Sequence, residues 1–374
     1  MTRAVAALPW RLAVPMLVLS LSGCGAVEYY WQGAVGQLEL LVHARPVAEV
    51  VATTDDEALR GRLSRLQAIR AYASTDLALP DNASYTRYTE LSRPYVVWNV
   101  FAAPALSLAP RQWCFPVAGC VAYRGYFAEA DARAEAARLA AGGDDVHVSG
   151  VPAYSTLGWF DDPALSTFIR WREADLARLV FHELAHQVVY VKDDTAFNES
   201  FATAVEEEGL SRWLAAQAHR PDAAAIRADA ERSRVLRREW RALTAAARER
   251  LREVYASALP EADKLREKAA TFAALRAGYD RLTAQWGSLP GYERWFANGA
   301  NNAGLAAGAL YADRVAVFQA LLAAEQGDLP RFYARVRTLA AMPRADRDAA
   351  LAALDGGGGR SENAGAAADR ALRQ

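Results

Sequence analysis

Two short segments, His182-Glu183-Leu184-Ala185-His186 and Phe197-Asn198-Glu199-Ser200-Phe201-Ala202, decide how the rest of this chain is read. Leu176, Leu179, Val180, Val188 and Val189 recur around the first at helical spacing, which predicts a helix within Trp171 to Val191. Residues four apart project from one helix face a turn apart, so His182 and His186 can share one tetrahedral Zn²⁺. Glu183 stands beside them, placed to take a proton from a metal-bound water as general base. By itself this pattern also fits two surface histidines; the second segment argues against that. It opens another helix, from about Ala196 to Ala218, after the polar turn Lys192-Asp193-Asp194-Thr195. A carboxylate in a helix's first turns can be aimed at the metal as third protein ligand, which makes Glu199 the leading choice and leaves one position for water. Asp193 and Asp194 are the other acids within the turn. Glu206 follows Glu199 by two helical turns and so shares its face. There it can accept a hydrogen bond from the free ring nitrogen of a ligating His, or be solvated with Glu207 and Glu208. Asn198 is grouped with Glu206 as a supporting residue.

The pairing of HExxH with a following Asn-Glu helix resembles the gluzincin metallopeptidases, and Asn198 to Glu206 (NESFATAVE) is similar to the NEGFAxYVE pattern of the large zinc aminopeptidases. A wider resemblance rests on Trp113-Cys114-Phe115-Pro116-Val117-Ala118-Gly119-Cys120, on Ala153 to Pro163, on HELAHQ and FNESFA, and on Asn301-Asn302-Ala303. These blocks look like those of a proteobacterial family of zinc aminopeptidase lipoproteins. The resemblance implies a single zinc metallopeptidase unit from about Val27 to Ala341, one Zn²⁺ and peptide substrates. It further implies an oxyanion donor from a C-terminal helix, for which Tyr311 is the position here. Extended substrates would be held by strand addition along Leu157 to Phe160, Trp159 included, with Asp161 meeting the substrate's α-amine. Two departures stand out. Only twelve residues separate His186 from Glu199, so the connecting turn must be tight, and the Gly-x-Met-Glu-Asn substrate motif is absent. Exopeptidase and endopeptidase action therefore both stay open. Metzincin ligation is excluded, because it needs Gly and His where Val189 and Lys192 stand.

The first residues point to export. Arg3 and Arg11 precede an apolar run from Leu12 to Leu21, too short to span a bilayer, that ends in Leu21-Ser22-Gly23-Cys24. This resembles the bacterial lipobox, which implies a signal peptide over residues 1–23 and a lipid on Cys24. Gly25, rather than Asp, after the cysteine favours the outer membrane, facing the periplasm. Removing residues 1–23 deletes Arg3 and Arg11 and no acid, so the net charge moves from −1 to −3. Neither value suits a nucleic-acid partner. Three cysteines make no disulfide framework, and no CxxC pair offers a metal site. Export places Cys114 and Cys120 in an oxidising compartment, where a disulfide closing a short loop competes with two buried free thiols.

The 374 residues, 52% of them hydrophobic, can bury a sizeable core. Helices are expected at Val27 to Val50 and Asp55 to Thr75. Strands are expected at Tyr95 to Phe101, Cys120 to Tyr123, Val146 to Val148 and Val151 to Phe160, with a helix at Asp131 to Ala141. Asp162 before Pro163 reads as a helix N-cap. Pro221 to Ser257 and Glu261 to Trp286, broken at Pro260, predict a long antiparallel hairpin. Helices near Gly299 to Gln326 and Asp328 to Ala341 follow, then a low-complexity tail over 355–374 expected to be disordered. The fold class is α+β and predominantly helical: a gluzincin-like core with a small mixed sheet at about 94–220, and a helical part at 221–341. The expected function is a zinc metallopeptidase, an aminopeptidase acting on periplasmic peptides through water activated by Glu183. The rival readings are a zinc endopeptidase using the same site and a non-catalytic, zinc-containing envelope lipoprotein that serves as a scaffold. Structural zinc has no need of a general base, so Glu183 argues against the scaffold.

Overall fold

The computed structural model describes residues 13–115, 119–153, 155–287, 292–309 and 314–356. Helix α1 (Ala13–Val42) stops earlier than the expected Val50. Pro46 has no N–H to give and disfavours helical backbone at the residue before it, so Arg45–Pro46 becomes strand β1 and the helix resumes as α2 (Val47–Thr53). Helix α3 (Glu57–Thr75) is capped by Asp56, whose side chain accepts the Leu59 N–H at 2.9 Å. Of Leu59, Leu63, Leu66 and Ile69, which share one face by their spacing, the last three are fully buried and Leu59 is partly buried.

Strands β2 (Arg87–Thr89), β3 (Val97–Pro104), β4 (Trp113–Phe115), β5 (Gly119–Val121) and β6 (Arg124–Tyr126) precede helix α4 (Glu129–Ala141) and strand β7 (Asp144–Val151). Strand β3 lies between β6 and β7, antiparallel to both, with Val100 opposite Val148. Alternation then assigns the faces. Trp98, Val100 and Ala102 pack with Ala132 and Leu139 of α4, while Phe101 and Ala103 turn to Ala303 on the other side. The β4–β5 hairpin is clasped by a Cys114–Cys120 disulfide, so the free-thiol alternative does not hold.

The expected strand from Val151 to Phe160 ends at Val151. Leu157 (φ 57°) and Gly158 (φ 81°) enter the left-handed region, and the Trp159 N–H reaches the Thr156 carbonyl at 3.1 Å. This is a tight turn, closed by the Asp162 carboxylate accepting the Thr156 N–H at 2.9 Å. Asp162 therefore caps no helix. Strand β8 (Ala164–Leu165) follows it, pairs parallel with β2, and only then does the short α5 (Ser166–Ile169) begin.

Helices α6 (Glu173–Val188) and α7 (Thr195–Ala216) form the centre of the main core. Phe181 and Leu184 of α6 are buried in one apolar cluster with Phe197, Phe201 and Val205 of α7 and with Leu63, Leu66 and Ile69 of α3. Gly209 allows this approach: a Cβ there would stand 2.8 Å from the Phe181 ring. The hairpin forms as expected from α8 (Ala223–Ala256) and α9 (Glu261–Trp286), with its own apolar layer around Leu236, Trp240, Leu251, Leu275 and Tyr279. Helices α10 (Tyr292–Ala297) and α11 (Asn302–Ala309) come next. Of the helix expected across Gly299 to Gln326, α11 and α12 (Val315–Ala324) are the described parts, and Arg314, at φ −130°, is the non-helical residue before α12. Helix α13 (Leu329–Ala340) sits where expected, and α14 (Arg344–Gly356), beyond the expected boundary, adds Leu351 to the main core. The fold is predominantly helical α+β. No helix among the described residues is long and apolar enough to cross a membrane.

Asn301 and Asn302 prove to be architectural. Asn302 donates to the Ala105 carbonyl at 2.9 Å, accepts from Tyr255 at 2.8 Å, and offers its N–H to Asp145, which also holds Lys268 at 2.6 Å. Asn301 donates to the Val146 carbonyl at 2.9 Å. Sheet, hairpin and α11 are tied together at this point.

Candidate metal centre

Helix α6 buries Leu176, Val180 and Leu184 in the core, which turns His182 and His186 toward a cleft of about 890 Å³. The helix ends at Val189, which is extended, and the chain reverses within six residues before α7 starts. Four side chains hold this turn. Asp193, at φ 66°, accepts the Cys120 N–H from β5. Asp194 caps α7 through the Phe197 N–H at 3.1 Å and receives Arg347 of α14 at 2.8 Å in a buried pair. Asn198 clasps the Val191 backbone, accepting its N–H at 2.7 Å and donating to its carbonyl at 2.8 Å. Asp193 and Asp194 are thus committed elsewhere, and Asn198 supports the turn rather than an imidazole.

With the turn closed, Glu199 faces both histidines. His182 Nε2 lies 3.2 Å from Glu199 Oε2 and 3.2 Å from His186 Nε2, and His186 Nε2 lies 3.7 Å from Glu199 Oε1. Two imidazole nitrogens and a carboxylate are the donor set of a catalytic zinc, and the edge of a tetrahedron with bonds near 2.05 Å is roughly 3.3 Å. The three side chains therefore fit one such ion by both chemistry and spacing.

Behind the donors, His182 Nδ1 meets Glu206 Oε2 at 2.9 Å, and Arg178 reaches Glu206 Oε1 at 2.6 Å. Burial pushes the Glu206 carboxyl up, but Arg178 and His182 outweigh it and hold it down at about 2. Burial also draws His182 down, yet its hydrogen bonds to Glu199 and Glu206 raise it well above the usual imidazole value. His186, with burial as its main influence, falls to about 4, and its buried Nδ1 has no hydrogen-bond partner among the described residues. A cation that binds here competes with protons for the ring nitrogens of His182 and His186.

Glu183 is 8% exposed, lines the cleft, and is pushed up by burial to about 7. Tyr123 and Tyr190 line the same cleft, and burial raises both phenols. Sequence reading missed them, as it missed Arg178. The one available signal was Arg178's position a turn before His182, on the same helix face. Trp159 and Asp161 are exposed and do not line the cleft, although Leu157 and Phe160 do. With residues 157–160 in a turn, no edge strand is offered there. Tyr311 lies outside the described residues, as do residues 1–12 and 357–374.

Among family models, the one described as "Putative aminopeptidase" matches residues 28–351. No curated protein and no solved structure matches the chain.

Proposed function

The chain belongs to the putative aminopeptidase family, and from that membership and the convergence of His182, His186 and Glu199 we propose a zinc-dependent aminopeptidase. The observation that carries the metal is the approach of the two imidazole Nε2 atoms to each other, at 3.2 Å, and to the two oxygens of the Glu199 carboxylate, at 3.2 and 3.7 Å. When bound, the ion supplies a Lewis acid and lowers the pKa of water. The rest is done by side chains of the chain. His182, His186 and Glu199 hold the ion, while Glu206 keeps His182 oriented with Nε2 forward. Glu183, poised near neutrality by burial, takes the proton of the attacking water and returns it to the leaving amine. Of the hydroxyl side chains that line the cleft, Tyr123 and Tyr190 both feel the Glu199 charge and are our choice of donor to a developing oxyanion.

Aminopeptidase rather than endopeptidase action rests on the family description. Glu183 and Glu199 are the only acids lining the cleft among the described residues, so no separate anionic anchor for an α-amine supports it. Residues 1–23 and Cys24 are proposed as the signal peptide and lipid attachment of an outer-membrane lipoprotein facing the periplasm. The test is Glu183→Gln, which should keep one zinc per chain by elemental analysis and lose turnover on a peptide library. Equal rates for the two proteins would remove the proposed base. Free and N-acetylated peptides then separate the modes: undiminished cleavage after acetylation rejects the aminopeptidase.

A further inference from the structure

Large apolar side chains left in solvent are concentrated in two places. Val27, Tyr30, Trp31, Val35, Leu38 and Val42 are 48–69% exposed on α1, and Trp159 and Phe160 are 72% and 50% exposed at the tip of the 157–160 turn. On α1 the spacing is regular: Val27, Trp31, Val35, Leu38 and Val42 recur every three or four residues and form one stripe. The opposite side of the helix is occupied, since Leu40 is buried and Tyr29, Gly33, Gln37 and Leu41 form a wall of the catalytic cleft.

The two places meet at the cleft. Tyr30, Leu38 and Phe160 are at once exposed and part of its lining, so the apolar surface rims the mouth through which a substrate must enter. We propose that this rim is a membrane-docking surface: α1 lies in the bilayer interface with its stripe toward the acyl chains, and the cleft takes apolar peptides partitioned there. The idea rests on the lipoprotein reading for its anchor and on the peptidase reading for its substrate.

A bilayer suits the surface better than a second protein copy. Cys24 stands three residues before Val27 in the sequence, so a lipid on it would tether the chain close to the stripe. A protein seated on the rim would close the cleft, whereas a fluid interface leaves lateral access for a peptide. Trp and Tyr are the side chains that settle at headgroup depth, and Tyr30, Trp31 and Trp159 lie at the rim. Between Val27 and Val42 the only charges are Glu28 and Glu39, with no Lys or Arg, so docking is apolar and indifferent to salt and lipid charge.

The experiment uses the full chain as processed in cells, with Val35→Glu and Val42→Glu together, which leaves every tryptophan reporter in place. Both positions are solvent-exposed and outside the cleft lining. Proteins are reconstituted on phosphatidylcholine vesicles carrying brominated acyl chains, and tryptophan quenching is read at low and high salt. Turnover is compared on a short soluble peptide and on a vesicle-partitioned apolar peptide. The parent should be quenched equally at both salts, and the variant should lose most of that quenching. It should also cleave the vesicle-bound peptide about tenfold more slowly, with the soluble rate unchanged. An unquenched, acylated parent overturns docking, as does a rim-dependent dimer that the two substitutions dissolve. The underlying readings fail separately: mass analysis without acyl groups on Cys24 removes the anchor, and no cleavage of either peptide by either protein removes the peptidase. Quenching reads the surface in both cases.

Discussion

Replacing Glu206 with Gln tests whether the second carboxylate serves the metal or only the fold. Glu206 has two partners, His182 Nδ1 at 2.9 Å and Arg178 at 2.6 Å, and both are well shielded, with side chains 12% and 9% exposed. Gln keeps the shape and can still accept one hydrogen bond, but it removes the charge. A ligating imidazole without its carboxylate partner loses metal affinity by roughly ten- to a hundredfold, about 1.4 to 2.7 kcal/mol. The same substitution leaves Arg178 buried without its main counter-charge, and removing one partner of a buried pair costs roughly 3–5 kcal/mol. Glu207, at 3.7 Å from Arg178, keeps the expected loss near the lower end, about 3 kcal/mol. Zinc affinity is read by competition with a chromogenic chelator, and stability by denaturant unfolding of the metal-free protein. Glu207→Gln is the control, since it disturbs Arg178 and Gln319 without touching His182. Unchanged zinc affinity in Glu206→Gln, with stability lost as expected, would refute the second-carboxylate reasoning and leave Glu206 a structural residue.

Two further outcomes follow from the structure. Asp162 is 4% exposed and raised by burial to about 6 from 3.8, so its favourable contribution is complete below about pH 4 and lost as pH rises through 6. Metal-free Asp162→Asn, which still accepts the Thr156 N–H, should match the parent at pH 4 and exceed it by up to about 3 kcal/mol at pH 8; denaturant midpoints that stay parallel across that range would contradict the assignment. Asn302→Ala strips a buried junction of its bonds to Ala105 and Tyr255 and should lower stability by roughly 2–3 kcal/mol while zinc stoichiometry stays at the parent value, checked by calorimetry with elemental analysis.

Helices α6 and α7 were legible because their information is local. Apolar recurrence around His182 sets the α6 register, and register alone puts His182 and His186 on one face. Glu206 could be read two turns after Glu199 for the same reason, and the hairpin broke at Pro260 where backbone chemistry demands it. What escaped is what depends on distant parts of the chain. The run from Val151 to Phe160 has strand composition, yet Leu157 and Gly158 adopt positive φ because the buried Asp162 carboxylate closes the loop onto Thr156. Tyr123 looked like an ordinary strand aromatic, and nothing local said that β6 would deliver its neighbourhood to the α6–α7 cleft. Arg178 shares the helix face of His182, where a buried arginine makes sense only once Glu206 is placed.

The twelve-residue gap between His186 and Glu199 raises the question of what makes so short a connection adopt one geometry. Its own residues supply only part of the answer, through the Asn198 clasp on Val191 and the Asp194 cap on Phe197. The remainder is tertiary. Asp193 is held by the β5 backbone next to the disulfide, and Asp194 by Arg347, more than 150 positions away on α14. Neither contact touches the three donor atoms, yet both fix where α7 begins, and Glu199 sits in the second turn of α7. The third corner of the donor triangle is therefore set by a disulfide-clasped hairpin and a C-terminal helix. Loosening either should weaken metal binding without altering a single ligand.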